Sequence, residues 1–209
     1  MRASQLYLAC YNAGQALAWS AVLYSTCSAV RSGSAVFPSC GGLVTVAQLL
    51  TALETLHALA GLVRSGVAAN ALQFAGRTHC WLLVRRLPEL QTSAALAVLV
   101  LAWSCADVVR YSWAAAGCIG KTPQVLTWLR YTAFILLYPL GAGAEMALMF
   151  QAVPAAGAGL RRVSLPNTLN ASFDYRLFLL TTLLLYPLLF LQLYTHMLGQ
   201  RRKKLLKNE

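Results

Sequence analysis

Residues 177–200 read LFLLTTLLLYPLLFLQLYTHMLGQ and contain no aspartate, glutamate, lysine or arginine. Residues 3–30 are also free of charged side chains, because the charges near this segment lie at Arg2 and Arg31. A helix needs about 20 consecutive apolar residues to cross the hydrocarbon core of a bilayer. Both segments reach that length, so the sequence predicts an integral membrane protein.

A cleaved signal peptide is the alternative interpretation of the first segment. Its apolar part is too long for the core of a signal peptide, and it contains polar and aromatic side chains that such a core lacks. These are Tyr7, Tyr11, Asn12 and Trp19. We therefore expect a membrane span here.

The composition supports the membrane assignment. Of the 209 residues, 58% are hydrophobic and only 11% are charged, whereas a soluble domain carries about 25% charged residues. The net charge of +11 reflects a small acidic count and a basic tail. Positive residues beside membrane spans explain it, and we expect no nucleic-acid partner.

The six cysteines form no CxxC pair, which predicts no zinc site.

Four further segments extend the pattern. The one at residues 71–86 is short and carries Gln73, Arg77 and His79. It fits a half-buried helix whose polar groups face the bundle interior. The prediction is an all-α, polytopic membrane helical bundle with six transmembrane helices. It is a single membrane domain at 1–209, with spans at about 5–30, 43–63, 71–86, 93–116, 125–153 and 175–198 and a basic cytoplasmic tail at 199–209.

An even number of spans puts both termini on the same side of the membrane. The densest basic cluster lies in the tail, which predicts cytoplasmic termini. That topology places the sequon at Asn170 in the lumen, and its use is left open. The tail cluster comprises Arg201, Arg202, Lys203, Lys204 and Lys207.

Ionisable side chains within a span are costly unless they are paired, so each indicates a functional site. Glu54 and His57 share a helix face, as do Asp107 and Arg110, because residues three apart are neighbours on a helix. Asp107 with Arg110 is most simply a buried ion pair, and Glu54 with His57 has an equally ordinary role in hydrogen bonding between helices. Glu145 has no cation within one turn of its own helix, so it needs a partner elsewhere or a function.

Tyr138 and Glu145 are seven residues apart, so they point the same way and are separated by about 10 Å along the axis. Pro139 removes a backbone donor and predicts a kink. Small residues at 141–144 leave a surface with few side-chain atoms. That surface either lets another helix approach closely or forms a slot for a narrow substrate between an acid and a base.

The sequence LRYTAFILLYPLG at 129–141, followed by Glu145 and Met146, resembles the signature of the very-long-chain 3-hydroxyacyl-CoA dehydratases. This family is also called the protein-tyrosine-phosphatase-like membrane proteins. Three earlier blocks agree in order, so the resemblance covers roughly residues 7–153. The matching blocks are Tyr7 to Asn12 with Trp19, LETLH at 53–57 with Gly61, Val63, Ser65, Gln73 and Arg77, and Ala102-Trp103-Ser104 with Arg110-Tyr111.

The resemblance implies a lyase that dehydrates very-long-chain (3R)-3-hydroxyacyl-CoA to trans-2-enoyl-CoA, the third step of fatty acid elongation. It implies Tyr138 and Glu145 as the catalytic residues. Removing water requires a base at Cα and an acid at the hydroxyl. We hypothesise that Glu145 is the base and Tyr138 the acid, with the reverse assignment open. Supporting residues are expected at Glu54, His57, Asp107, Arg110, Tyr111, Arg130 and Tyr131.

The resemblance also implies a setting for the protein. The expected substrate is an acyl-CoA, and neither a metal nor another cofactor is expected. The expected location is the endoplasmic reticulum membrane, in contact with membrane lipid. The expected partners are the other elongation-cycle enzymes: the elongase, the ketoacyl-CoA reductase and the enoyl-CoA reductase.

The chain departs from the family pattern in places. Ala106 and Asp107 replace a Thr-Glu pair, and Asn70 and Gly76 replace Thr and Ser. Two alternatives stay open: a catalytically weak or inactive member acting as a membrane scaffold, and a small proton-coupled transporter. The Cys80 segment matches the spacing of a cysteine phosphatase loop, but it lacks the glycine that would turn backbone N–H groups toward phosphate.

Overall fold

The computed structural model describes residues 2–157 and 173–205, and this part of the chain is almost entirely helical. Six of its helices are long and two are short. The sequon at Asn170 and the basic residue Lys207 lie outside the described residues. The helices are α1 (Ala3–Ser32), α2 (Val36–Leu59), α3 (Val67–Arg86), α4 (Pro88–Gln91), α5 (Ala94–Cys118), α6 (Gln124–Thr132), α7 (Phe134–Gly157) and α8 (Tyr175–Leu205).

Five of the long helices form a closed ring. In order around the bundle they are α1, α2, α3, α7 and α5, and each packs against the next. The most extensive contact joins α1 to α5, while α8 packs on the outside against α7 and α6. The interior of the ring is where side chains of several helices meet, so it is the place to look for paired polar groups.

Four described helices are long and apolar enough to cross a membrane, namely α2, α5, α7 and α8. The other two long helices, α1 and α3, have sufficient length but fall below that apolar character. Their polar side chains explain the difference, since Gln15 of α1 and Arg77 of α3 are buried within the bundle. The structure therefore shows an all-helical protein with several helices suited to a membrane.

Three predicted spans differ clearly from the observed helices. The sixth was expected to end at 198, where the tail was to begin, but α8 continues to Leu205. The second was expected at 43–63, but α2 begins at Val36. The chain turns earlier, at Gly33, whose φ of 68° is in the left-handed region that glycine adopts without strain. Pro38 lies within the first turn of α2, where a missing N–H is tolerated.

The fifth predicted span, 125–153, consists of two helices. The break lies at Ala133, between α6 and α7, and α7 continues through Pro139. A proline ring disturbs the backbone about one turn before it and leaves the carbonyl four residues earlier without its N–H partner. That carbonyl belongs to Ile135, and it accepts a hydrogen bond of 3.1 Å from the Tyr194 hydroxyl of α8. A side chain from the neighbouring helix thus replaces the donor that Pro139 lacks.

Candidate active site

Glu145 is the acidic residue of α7 and is held by two other helices. Its Oε1 accepts a hydrogen bond of 2.9 Å from Nε1 of Trp103 on α5. Its Oε2 accepts a hydrogen bond from the hydroxyl of Tyr186 on α8. Each oxygen therefore has its own donor, and the carboxylate is fixed between helices on both sides of α7.

No lysine, arginine or histidine forms an ion pair with Glu145 within residues 2–157 and 173–205. Arg77 is close enough to interact electrostatically with the carboxylate. Its guanidinium carbon lies 4.4 Å from the centroid of the Trp103 ring, and the N–H of that ring donates to Glu145. Glu145 is thus a carboxylate held by neutral donors of other helices, with one indirect cation. The sequence had left open whether it has a partner elsewhere or a function.

Tyr138 lies on the same face of α7, seven residues before Glu145. Its ring packs edge-on against Phe134, with 6.1 Å between the ring centroids. The hydroxyl has no hydrogen-bond partner within the described residues. It lies within electrostatic range of Arg130 and Arg110. A half-buried phenol whose hydroxyl has no partner in this part of the chain is available to a ligand.

The small residues between Tyr138 and Glu145 face different surroundings. Gly141 packs against α5, because a Cβ placed on it would lie 3.7 Å from Cβ of Ala102. A Cβ on Gly143 would meet open space. Ala142 follows Tyr138 by one turn and precedes Glu145 by three residues, so it occupies the face between them. Close helix packing and an open surface therefore both occur in this segment, on different sides of α7.

Four charged residues form a chain of ion pairs inside the ring. Arg77 donates to Oδ2 of Asp107 over 2.6 Å, and Arg110 donates to Oδ1 of Asp107 over 2.9 Å. Arg110 also contacts both carboxylate oxygens of Glu54, at 2.7 and 2.8 Å. We call these four residues the ionic network. Its two cations balance its two anions, and the short side chain of Asp107 reaches both arginines.

His57 and Tyr111 belong to a neighbouring hydrogen-bonded cluster. Nε2 of His57 shares a hydrogen bond of 2.8 Å with the Tyr7 hydroxyl. The Tyr111 hydroxyl accepts a hydrogen bond of 3.1 Å from the Gln15 amide. The Arg110 guanidinium carbon lies 4.0 Å from the Tyr111 ring centroid, so this cluster adjoins the ionic network. His57 therefore pairs across to α1, whereas Glu54 pairs across to α5.

Arg130 and Tyr131 lie on α6, beside Trp113 of α5. The Arg130 guanidinium carbon is 5.9 Å from the Trp113 ring centroid, and the Tyr131 ring is 6.4 Å from it. Arg130 has no carboxylate partner in the part of the chain that the structure describes. It lies within electrostatic range of the Tyr138 hydroxyl.

The segment resembling a phosphatase loop is helical. Cys80 lies within α3 and is 1% exposed. A thiol nucleophile requires access to its substrate and a loop of N–H groups around the phosphate. Cys80 has neither, so the resemblance in spacing is accidental.

The sequence did not identify Tyr186 or the role of Trp103. Both contact Glu145 from helices distant in sequence, so no spacing rule within one helix reveals them. One signal was present, because Leu-Leu-Tyr-Pro-Leu occurs twice, at 136–140 and 184–188. The repeat marks Tyr138 and Tyr186 as equivalent positions on α7 and α8.

Comparison with known proteins supplies independent evidence. A family model described as "Protein tyrosine phosphatase-like protein, PTPLA" matches residues 48–207. The chain is 38% identical over 159 residues to "Very-long-chain (3R)-3-hydroxyacyl-CoA dehydratase 2" of Mus musculus, an alignment covering 75% of this chain and 63% of that protein. It is 36% identical over 160 residues to "Very-long-chain (3R)-3-hydroxyacyl-CoA dehydratase 1" of Mus musculus, covering 76% and 57%.

A plant relative aligns over a longer region. "Very-long-chain (3R)-3-hydroxyacyl-CoA dehydratase PASTICCINO 2A" of Oryza sativa subsp. japonica is 35% identical over 208 residues, covering 97% of this chain and 94% of the relative. The chain spans only 63% of the length of the mouse dehydratase 2. No solved structure matches the chain. The family match and the nearly complete plant alignment lead to one conclusion: the chain belongs to the protein tyrosine phosphatase-like (PTPLA) family.

Proposed function

We propose that this chain is a hydro-lyase that dehydrates very-long-chain (3R)-3-hydroxyacyl-CoA to trans-2-enoyl-CoA within fatty acid elongation. The single observation that supports it most is the arrangement on α7. One helix face carries a carboxylate fixed by two donors and a phenol that has no hydrogen-bond partner within residues 2–157 and 173–205. The printed names of the relatives, all very-long-chain (3R)-3-hydroxyacyl-CoA dehydratases, agree with that chemistry.

In the proposed mechanism Glu145 takes the proton from Cα of the substrate. The electron pair of that C–H bond forms the Cα–Cβ double bond, and the bond from Cβ to the hydroxyl breaks. Tyr138 donates its proton to the departing hydroxyl, which leaves as water. Before the next turnover Glu145 loses its proton and Tyr138 regains one, so the enzyme is unchanged.

The geometry favours this assignment of base and acid over the reverse. Both partners of Glu145 donate to it, so the carboxylate is held as an acceptor, the form that takes a proton. Among the residues that the structure describes, no side chain accepts from the Tyr138 hydroxyl, so its proton is available to substrate. The apolar surroundings strengthen both interactions, since electrostatic attraction grows as water is excluded.

The residues around this pair are proposed to support it. The ionic network ties α2, α3 and α5 together, and Tyr111 and His57 extend it toward α1. We propose that this arrangement holds α5 in place, so that the N–H of Trp103 stays aligned with the Glu145 carboxylate. Arg130 and Tyr131 are proposed to line the approach to Tyr138.

We further propose that all six long helices cross the membrane as a single domain at residues 1–209. Within the closed ring, α1 and α3 pack against helices apolar enough to span, and their polar groups face inward. The proposed location is the endoplasmic reticulum membrane, with both termini and the tail at 199–209 in the cytoplasm. The other elongation-cycle enzymes are the proposed partners. Protease protection of a tag at each terminus in sealed microsomes tests the topology.

The activity test uses protein purified in detergent. With a (3R)-3-hydroxyacyl-CoA as substrate, we expect the parent chain to produce the trans-2-enoyl-CoA. Tyr138→Phe and Glu145→Gln are each expected to lower kcat by about 100-fold or more, the contribution typical of one general acid or base. The rate is followed by chromatographic detection of the enoyl product.

Matched controls are available outside this site. Tyr24→Phe removes a hydroxyl from a side chain that is 77% exposed, and Glu89→Gln neutralises an exposed carboxylate of α4. Both are expected to keep parental activity. Elution as a single species and a cooperative melting transition establish folding for every variant. Near-parental activity in both Tyr138→Phe and Glu145→Gln would end the proposal.

A further inference from the structure

Tyr186 lies on a helix most of whose described side chains are exposed. The buried residues of α8 are Tyr175 and Leu179, near its beginning. Tyr186 lies two turns further on, in the middle of the span, and its hydroxyl donates to Oε2 of Glu145. Tyr186 thus connects the outermost helix to the carboxylate of the candidate site.

Tyr138 and Tyr186 occur in identical local sequences but have different partners. Each follows two leucines and precedes a proline, in the repeated Leu-Leu-Tyr-Pro-Leu segments. The Tyr138 hydroxyl has no hydrogen-bond partner among the described residues, whereas the Tyr186 hydroxyl is committed to Glu145. The two phenols therefore have different roles: one is open to a ligand and the other is engaged with the carboxylate.

We propose that Tyr186 is a positioning residue, which fixes the Glu145 carboxylate for abstraction of the Cα proton of the substrate. This inference rests on the proposed dehydratase function. A glutamate side chain has three torsions, and a half-buried one held at a single oxygen retains rotational freedom. Donors on separate oxygens, Trp103 Nε1 on one and Tyr186 on the other, fix both the position and the plane of the carboxylate. Proton transfer depends steeply on such geometry.

Tyr194 provides a matched control on the same helix. It lies eight residues after Tyr186, and its hydroxyl also donates to α7, at the Ile135 carbonyl over 3.1 Å. Tyr186→Phe and Tyr194→Phe each remove one hydroxyl and one hydrogen bond between α8 and α7. Only the first change touches Glu145, so any effect of loosening α8 alone appears in both variants.

The experiment compares kcat, KM and the primary isotope effect of the two variants, using (3R)-3-hydroxyacyl-CoA with and without deuterium at Cα. Tyr186→Phe is expected to lower kcat roughly 10- to 100-fold, because a hydrogen bond to a charged group is lost. KM is expected to stay within about threefold, since substrate binding is not affected. The isotope effect is expected to be no smaller than the parental one, because proton abstraction is the slowed step. Tyr194→Phe is expected to keep kcat within about threefold of the parent.

The outcomes separate this inference from the proposed function. Equal kcat values for Tyr186→Phe and Tyr194→Phe would overturn the positioning role, as would an isotope effect that falls below the parental one. A parent chain without dehydratase activity, or a fully active Glu145→Gln, would instead overturn the proposed function itself.

Discussion

Within the described residues, two regions of the helical bundle hold buried or half-buried carboxylates, and the two regions surround these carboxylates differently. In the ionic network, Asp107 and Glu54 are neutralised directly by arginines at 2.6 to 2.9 Å. Glu145 instead accepts hydrogen bonds from the neutral groups of Trp103 and Tyr186. A carboxylate between two cations, such as Asp107, is a weak base but holds the helices together. A carboxylate held by neutral donors, such as Glu145, retains its capacity to take a proton. The comparison separates a structural centre from a chemical one.

The largest expected effect is on the structural centre. Asp107→Asn removes the shared anion, so Arg77 loses its carboxylate partner and Arg110 keeps only Glu54. Breaking a buried ion pair on one side costs about 3–5 kcal/mol, so we expect a large fall in the melting temperature. The measurement is thermal unfolding in detergent followed by circular dichroism. Glu89→Gln, at an exposed site, is the control, and equal melting temperatures for the two variants would refute the bracing role.

The next expected effect is at Trp103, which connects the two regions. Its ring lies under the Arg77 guanidinium, and its N–H donates to Glu145. Trp103→Phe keeps an aromatic ring and removes the donor, so we expect kcat to fall roughly tenfold for the loss of one hydrogen bond. Trp113→Phe on the same helix is the matched control, because its N–H donates to Thr127 instead. The measurement is kcat of both variants by steady-state kinetics. Equal kcat values for Trp103→Phe and Trp113→Phe would contradict the prediction.

The smallest expected effect concerns the surface between Tyr138 and Glu145. Ala142→Leu places a larger side chain on that face, where we expect it to hinder substrate and raise KM several-fold with a smaller change in kcat. Gly143→Leu adds a comparable side chain where a Cβ meets open space, and KM is expected to stay parental. Substrate titration of both variants is the measurement. A raised KM in Gly143→Leu alone would place the substrate on another face of α7.

Patterns within a single helix were sufficient for part of this architecture. The absence of charge at 177–200 predicted α8, and the spacing of Asp107 and Arg110 is the spacing at which the structure pairs them. The shared face of Tyr138 and Glu145 follows from seven residues at 3.6 per turn. Their catalytic roles stay a prediction.

Contacts between helices could not be predicted in the same way. Arg77 reaches Asp107 from α3, and Tyr186 reaches Glu145 from α8, because packing rather than spacing decides which faces meet. The way α7 accommodates Pro139 also depended on packing, since Tyr194 supplies the donor that Pro139 lacks. The polar side chains of α1 and α3 also make these two helices less apolar than a typical span. Which of these side chains face other helices instead of lipid is decided by packing.

The most direct test applies the same chemical change to both regions, by comparing Glu145→Gln with Glu54→Gln in activity and melting temperature. Glu145→Gln is expected to lose dehydratase activity by about 100-fold or more. Its melting temperature is expected to fall only modestly, because the amide still offers one acceptor oxygen to the two neutral donors. Glu54→Gln, which removes the charge facing Arg110, is expected to lower the melting temperature and retain measurable dehydration by the folded fraction. Destabilisation of Glu145→Gln with near-parental activity per folded molecule would make Glu145 a structural residue and contradict the account.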